Sequence, residues 1–184
     1  AGHSGVIAPG DVQWMTAGSG VVHEEKQSAA FAERGGTLEM VQLWLNLRRV
    51  DKMTPPKYQT LAKADIPVVP IGGGTARVIA GSLLGESGPA STFSPVTLID
   101  LSLPAGGVFE TPWTEGHTAS LLIRKGAAVV EGQSIEERHL VVWERVGDAL
   151  RFEALNAAVG FVSEDLVEGF AAGREKRAPR FEGK

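Results

Sequence analysis

The 184 residues include 18 basic and 22 acidic side chains, for a formal net charge of −4, which excludes the overall basic character of a protein that binds nucleic acid directly. There are no cysteines, so disulfides, thiolate zinc sites and cysteine nucleophiles are excluded, and histidine and carboxylate side chains remain as the strong metal ligands. No apolar run approaches the roughly 20 residues that span a bilayer, and the first residues lack the features of a secretory signal, so we expect a soluble cytoplasmic protein that does not bind membranes.

Short apolar runs separated by turn residues follow one another along most of the chain. The 23 glycines and 10 prolines lie between these runs instead of clustering into a linker, which is typical of many short strands joined by turns. One run alternates regularly, with Ile99 and Leu101 on one face and Asp100 on the other. The expected fold class is all-β, with predicted strands at 5–7, 12–15, 21–25, 38–47, 76–80, 96–103, 119–124, 127–131, 140–143 and 149–153.

The most informative stretch is PGDVQWMTAG at 9–18, together with the run that follows it. A Pro-Gly-Asp turn opens one strand, and after a glycine-rich corner a second predicted strand carries His23 and Glu25 on one face, because strand side chains repeat every two residues. Glu24 then faces the opposite side. An imidazole and a carboxylate that point together into a barrel form the beginning of a mononuclear His-plus-carboxylate metal site. The same spacing also fits a surface pair on an edge strand.

Three later features of the sequence are predicted to have no catalytic, phosphate-binding or metal-binding role. Residues 51–70 contain four prolines. Because proline has no backbone N–H to donate to a neighbouring strand, this segment is interpreted as an extended crossover between two β halves. The three glycines at 72–74 lack the Lys-Ser/Thr pair and the helix of a phosphate-binding loop, so a flexible entry to the second half is expected. His117 and His139 have no neighbouring ligand at strand spacing except Glu115, which is in a turn, so they are expected to be polar residues at barrel ends.

One helix is predicted, at 163–173. Ser163 caps it, the acidic residues that follow complement its N-terminal dipole, and Gly173 ends it. The basic tail at 174–180 is expected to be a solvated chain end.

Three segments resemble the pirin family of the cupin superfamily in their order and spacing: residues 5–25, the run QLWLNL at 42–47 and the run KMTPPKYQ at 52–59. Further on, residues 78–81 and 115–117 look like the second β-barrel of that family. The resemblance implies an all-β bicupin of two antiparallel jelly-roll β-barrels with a short C-terminal helix.

The resemblance also implies a division of the chain. Residues 1–60 would form the C-terminal part of the N-terminal cupin barrel and the crossover, and residues 61–162 would form the C-terminal cupin barrel. Residues 163–184 would be the helix and the basic tail. The N-terminal part of the first barrel is expected to be missing from this sequence.

In the pirin family, the N-terminal barrel holds one Fe(II) ion through three histidines and a glutamate. The resemblance assigns two of these ligands to His23 and Glu25. The other two come, in the family, from an upstream His-x-His strand, and no such pair precedes Gly5, so the site is expected to be incomplete in this sequence. His3 falls where the family has a loop, and we expect it to be a surface residue and not a replacement ligand.

The activity that the resemblance implies is that of an Fe(II)-dependent dioxygenase of the quercetin 2,3-dioxygenase type, which uses O2 to open the heterocyclic ring of a flavonol. His23 would coordinate the metal, and Glu25 would be the catalytic residue that coordinates it and relays the proton of the substrate hydroxyl. Trp14, Met15 and Trp44 would shape an apolar pocket for the flat substrate. The same three side chains also fit an ordinary barrel core.

Two other functions remain open from the sequence. One, which the resemblance also implies, is a non-enzymatic iron-binding module that acts in regulation through partners, and the acidic character of the chain favours protein partners over bare DNA. The other is a truncated cupin without metal, which the absent ligands favour. The expected partners are therefore a small aromatic substrate or other proteins, and the expected state is a monomer.

Overall fold

The structure, a computed structural model, describes residues 4–155 and 157–161 and consists mainly of antiparallel strands. Within these ranges there is one six-residue helix, α1 (Ala29–Arg34), and two short 3-10 turns, Arg49–Asp51 and Lys63–Asp65. No helix of the described residues is long and apolar enough to cross a membrane. The strands, numbered in chain order, are β1 (Val12–Thr16), β2 (Lys57–Leu61), β3 (Val68–Ile71), β4 (Gly74–Ala80), β5 (Ser82–Leu83), β6 (Glu86–Ser87), β7 (Leu98–Leu103), β8 (Gly107–Pro112), β9 (Ala119–Lys125), β10 (Ala127–Val130), β11 (Gln133–Glu136), β12 (Leu140–Trp143), β13 (Ala149–Ala154) and β14 (Ala157–Phe161).

Two antiparallel sheets pack face to face in the second half of the chain. The larger has the order β12-β9-β14-β7-β4-β3, and the smaller has the order β11-β10-β13-β8. Both contribute to the main apolar core, in which Phe109 and Phe152 are fully buried with ring centroids 5.5 Å apart. The predicted alternation is confirmed, because Ile99 and Leu101 are buried while Asp100 is only partly covered. The all-β prediction is therefore correct, and the two sheets form a jelly-roll-type sandwich that does not close into a barrel.

A two-stranded ribbon of β1 and β2 forms a third layer. Its strands pair antiparallel over five residues each, from Val12 opposite Leu61 to Thr16 opposite Lys57. A second apolar cluster joins the ribbon to the larger sheet, and Trp14 packs against it. The buried members of this cluster are Leu61, Ile66, Ile79, Ala80, Val96 and Leu98. This cluster gives the N-terminal region of the chain an apolar contact with the sandwich.

The glycines at 72–74 form part of a tight turn and not the flexible entry that we expected. Gly72 and Gly73 have φ angles of 47° and 81° and connect β3 to β4 as a two-residue hairpin, a geometry that favours glycine. A Cβ atom on Gly72 would lie 2.1 Å from the backbone oxygen of Val108. No side chain fits at this position, so the glycine is needed for the turn to pack.

Three predicted strands do not form in the described part of the chain. Residues 5–7, 21–25 and 38–47 are not in strands. β1 pairs only with β2, so these segments have no adjacent strand in the ribbon with which to form a ladder. Strand-like sequence is not sufficient, because a strand exists only when a neighbour satisfies its backbone groups.

The predicted crossover at 51–70 is also corrected, since it contains β2 and β3. Pro70 lies within β3, at the edge of the larger sheet. An edge strand tolerates proline, because the missing backbone N–H can be on the side without a neighbouring strand. The expectation that the prolines keep this segment out of a central strand position is therefore confirmed. The predicted helix at 163–173 lies outside the described residues.

Candidate metal centre

The two predicted ligands lie close together on the irregular chain that follows β1. His23 Nε2 is 4.0 Å from Glu25 Oε1, and about half of each side chain is exposed. Glu24 forms an ion pair with Lys26 at 2.5 Å. The side chains of His23 and Glu25 thus meet without the strand that was expected to align them.

The residue types of this pair suit a metal site, since imidazole and carboxylate donors both suit Fe(II). Two adjacent donors, each about 2.1 Å from one ion, are roughly 3.0–3.4 Å apart in octahedral or tetrahedral geometry. The separation of 4.0 Å between His23 Nε2 and Glu25 Oε1 is wider, so the two side chains would have to move closer together to share an ion. Within residues 4–155 and 157–161, no group of three or more histidine, aspartate or glutamate side chains is placed to hold an ion. The described residues therefore bring together the two predicted ligands and no third one.

The three predicted pocket residues do not share one surface. Trp14 is on the inner face of β1, where it packs against the second apolar cluster and donates its indole N–H to the backbone oxygen of Ser91 at 3.1 Å. Met15 is on the opposite face of the strand, 38% exposed, across from Tyr58. Trp44 is 79% exposed. The structure therefore separates Trp14 from Met15 and places neither Met15 nor Trp44 in the core.

The N-terminal region exposes much of its apolar side-chain surface. Of the 19 large apolar residues that are exposed in the described part of the chain, 13 lie between residues 6 and 58. Single exposed apolar residues are normal, whereas a concentration of them is typical of an interaction or ligand-binding surface. We call this set the N-terminal apolar surface; its members are Val6, Ile7, Met15, Val21, Val22, Leu38, Met40, Val41, Leu43, Trp44, Val50, Met53 and Tyr58.

One residue of the second half fastens the ribbon to the sandwich. Ser91, in the loop between β6 and β7, accepts the Trp14 indole N–H at its backbone oxygen and donates its own N–H to Gln59 Oε1 at 2.9 Å. Its hydroxyl accepts a hydrogen bond from Lys57 Nζ at 3.2 Å. Both strands of the ribbon are therefore held by the same loop.

A chain of ion pairs fixes the N-terminal region at a second place. Asp100 pairs with Arg77 at 3.2 Å and with Arg124 at 2.7 Å. Arg124 pairs in turn with Glu39 at 3.2 Å. Arg77 also donates a hydrogen bond to the backbone oxygen of Gly10. The segment with the two candidate ligands thus runs between two anchored points, at residues 10 and 39.

The Pro-Gly-Asp turn that precedes β1 is closed by its own carboxylate. Asp11 accepts hydrogen bonds from the backbone N–H groups of Ala8 and Lys63, both at 2.8 Å. These bonds lower the pKa of Asp11, and the positive charges of Arg77 and Lys63 add to the effect. The turn motif therefore joins the start of β1 to the chain that leaves β2.

The histidines of the second half lie in turns, and one of them lines two cavities. His139 Nδ1 is 3.2 Å from the backbone oxygens of Glu136 and Glu137. His117, in the loop after β8, is partly buried and lines two cavities of about 200 Å³ each. Trp113 lines both cavities, and Trp143 lines one of them. These cavities were not predicted, because their only signal in the sequence is a tryptophan at or just beyond the end of a strand.

Known proteins resemble this chain over most of its length. The family model described as Pirin matches residues 1–45. A Pseudomonas aeruginosa protein provisionally named as a quercetin 2,3-dioxygenase is 46% identical over 157 residues, which cover 84% of this chain and 55% of that protein. Human pirin is 35% identical over 156 residues, which cover 83% of this chain and 52% of that protein.

Solved structures show the same relationship. A crystal structure of quercetin 2,3-dioxygenase from Acinetobacter baumannii matches with a TM-score of 0.78 and 36% identity, covering 92% of this chain and 67% of that one. The Geobacillus kaustophilus protein GK1651 matches with a TM-score of 0.76 and 31% identity, covering 85% of this chain and 64% of that one. The chain spans about half the length of the curated relatives it matches. Motif, fold and relatives agree, and the chain belongs to the pirin family of the cupin superfamily.

Proposed function

We propose that the protein acts as an iron-dependent dioxygenase of the quercetin 2,3-dioxygenase type, on a flavonol or a related small aromatic compound. The observation that carries the proposal is the placement of His23 and Glu25, 4.0 Å apart, within the segment that the Pirin family model matches. The 46% identity to the provisionally named Pseudomonas aeruginosa dioxygenase supports the reaction class.

The two ligands have different roles in this proposal. Fe(II), when bound, would supply Lewis-acid polarisation of the substrate hydroxyl and redox capacity towards O2. His23 offers Nε2 of a neutral imidazole as a donor. Glu25 offers one carboxylate oxygen to the ion and takes the proton of the substrate hydroxyl as a general base. Its side chain is 43% exposed, so it can pass the proton on to water.

The apolar contacts to the substrate would come from Met15 and Trp44. Both belong to the N-terminal apolar surface and offer faces that a flat aromatic ring can contact. Trp14 would act as a positioning residue, because its side chain is packed into the second apolar cluster and bonded to Ser91. It would hold β1 in place ahead of the two ligands.

We also propose the division of the chain that the family implies. Residues 1–60 would belong to an N-terminal cupin barrel, residues 61–162 to a C-terminal barrel, and residues 163–184 to a C-terminal extension. The N-terminal apolar surface supports this division, because further strands of the same barrel would cover it. Those strands would also carry the remaining iron ligands.

A second candidate function is a non-enzymatic module that binds protein partners, with or without iron. The N-terminal apolar surface favours it too, because apolar and aromatic side chains form the centre of protein interfaces. The two candidates differ in whether bound iron leads to consumption of a flavonol.

The metal proposal is tested by adding Fe(II) without oxygen to the 184-residue chain and following its four histidines by NMR. We expect the paramagnetic ion to broaden the ring signals of His23 at the lowest Fe(II) concentration, before those of His117 and His139. The effect should disappear in Glu25→Ala and persist in the control variant Glu137→Ala, since Glu137 lies in the turn next to His139. Equal broadening of all histidines would contradict the site.

The reaction is then tested by supplying quercetin and O2 to the iron-loaded chain. We expect O2 consumption and carbon monoxide release that depend on both His23 and Glu25. If iron binds at His23 and quercetin is not consumed, the enzyme proposal is wrong for this chain and the binding module is favoured. If no Fe(II) binds at His23, the metal-free cupin is favoured.

A further inference from the structure

The two cavities at one end of the sandwich have walls built by two loops. One loop joins β8 to β9 and the other joins β12 to β13. Backbone hydrogen bonds tie the loops together, from the Trp113 N–H to the Asp148 oxygen at 2.7 Å and from the Gly116 N–H to the Arg145 oxygen at 3.2 Å. These bonds hold the two loops against each other at the walls of the cavities.

Arg145 places a fixed cation at the first cavity. Its Nε donates a hydrogen bond at 3.1 Å to the hydroxyl of Thr118, which is only 1% exposed. This bond orients the guanidinium group from one side. Within the described residues, the terminal nitrogens of Arg145 form no hydrogen bond or ion pair. Arg151 lines the same cavity, but its Nε faces Glu110 at 3.4 Å and its side chain is 60% exposed. Arg145 is therefore the cation that a bond to a buried group, the Thr118 hydroxyl, holds at the cavity.

Two indole rings supply the apolar part of the same cavity. Trp113 donates its indole N–H to the backbone oxygen of His117 at 3.4 Å, which holds the ring at the boundary between the two cavities. Trp143 lies at the end of β12, opposite Ala119 of β9. Both indoles line the first cavity, and indole faces contact planar apolar groups well.

Size and charge limit what the cavity can take. Its volume of about 200 Å³ suits a single aromatic ring with one substituent, since a cavity of roughly 150 Å³ can hold benzene. The acidic side chains of Glu131 and Glu144 also lie in the wall, which disfavours a ligand with several negative charges. A guanidinium fork with free donors recognises one carboxylate group.

We propose that this cavity binds a small aromatic carboxylate, with its carboxylate group on the terminal nitrogens of Arg145 and its ring against Trp113 and Trp143. Neither His23 nor Glu25 takes part. The site is therefore separate from the proposed dioxygenase centre, and it gives the second half of the chain a binding function of its own.

Benzoate is the probe, and the indole N–H signals of the four tryptophans are the readout in protein NMR. We expect benzoate to shift the Trp113 and Trp143 signals in a saturable way and to leave those of Trp14 and Trp44 in place. Benzyl alcohol has the ring without the charge, and acetate has the charge without the ring. Each should bind at least about tenfold more weakly than benzoate.

The variant Arg145→Gln should weaken benzoate binding about tenfold or more, because one charge-assisted contact to carboxylate is worth at least that factor. Arg145→Lys keeps the charge without the fork and should fall in between. Arg138→Gln is the matched control, since Arg138 is 86% exposed and does not line the cavity. It should bind benzoate as the unaltered chain does.

Equal affinity for benzoate and benzyl alcohol would overturn the proposal, as would unchanged benzoate binding in Arg145→Gln. If that variant fails to fold, the comparison of the three probes on the unaltered chain still decides the question. Benzoate shifts should survive in His23→Ala, so failure of the iron proposal and failure of this one can be told apart.

Discussion

The two regions of the molecule differ in how much of their strand-like sequence forms β-strands. Between residues 57 and 155, all twelve strands pair with at least one neighbour, and the two large sheets bury a continuous core. Five of these strands pair on both sides, namely β4, β7, β9, β10 and β13. Between residues 4 and 56, similar runs are present, but only β1 forms a strand. The difference shows that strand propensity becomes structure only where a second strand completes the hydrogen bonds and covers the apolar face.

The largest expected effect comes from the core of the second region. Phe109→Ala removes a fully buried ring that packs against Phe152, and we expect the free energy of unfolding to fall by about 3–5 kcal/mol. The matched change in the first region, Trp44→Ala, removes a side chain that is 79% exposed. It should change the free energy of unfolding by less than about 0.5 kcal/mol. Chemical denaturation of both variants measures the contrast. Similar losses would show that the first region is packed as tightly as the second.

A smaller effect is expected where the two regions meet. Asp100→Asn removes the charge shared by Arg77 and Arg124, and we expect a loss of about 1–2 kcal/mol, because partly buried hydrogen bonds to charged groups are broken. Amide exchange should show the loss as faster opening near Gly10, whose backbone oxygen accepts from Arg77.

The exposed Asp148 offers a control for this change. Asp148→Asn should leave both the stability and the exchange of this region unaltered. Equal effects of the two substitutions would mean that the ion-pair chain contributes nothing to the attachment of the first region.

The smallest effect is specific to the first region and depends on pH. The hydrogen bonds from Ala8 and Lys63 hold the pKa of Asp11 below its ordinary value of 3.8. A carboxyl group whose pKa is lowered by folding adds stability above its unfolded pKa, and this contribution is lost as the pH falls through the folded pKa. Asp11→Asn should therefore be less stable than the unaltered chain at pH 7, and the difference should shrink below about pH 4.

Thermal unfolding of both proteins between pH 7 and pH 2.5 measures this difference. A difference that stays constant over the whole range would contradict the role of the ionised carboxylate in closing the turn.

Much of the fold could be predicted from the sequence, since periodicity reports burial. The alternation around Ile99 and Asp100 identified β7 because one face of that strand meets the main core. The strand β11 was missed because its QSIE sequence is largely exposed at a sheet edge, where no apolar pattern is needed. The false prediction at 21–25 had the pattern but lacked a neighbouring strand, which local sequence cannot reveal.

The two candidate sites also differ in whether the sequence alone could predict them. His23 and Glu25 are two residues apart in the chain, so their proximity could be inferred from local spacing, and the structure places them 4.0 Å apart. Arg145 and Trp113 come together only because the β8–β9 and β12–β13 loops hydrogen-bond to each other. No local pattern encodes that contact, so the cavity could be found only in three dimensions.

The three hydrogen bonds of Ser91 also act against register slippage in the ribbon. β1 and β2 are joined by a long connection, so no tight turn fixes their alignment as it would in a hairpin. Trp14 and Gln59 are a cross-strand pair, and both bond to the backbone of Ser91. A slip of one residue would turn one of these side chains to the opposite face and leave a Ser91 group unpaired. The loop thus selects one alignment of two strands that are far apart in the chain.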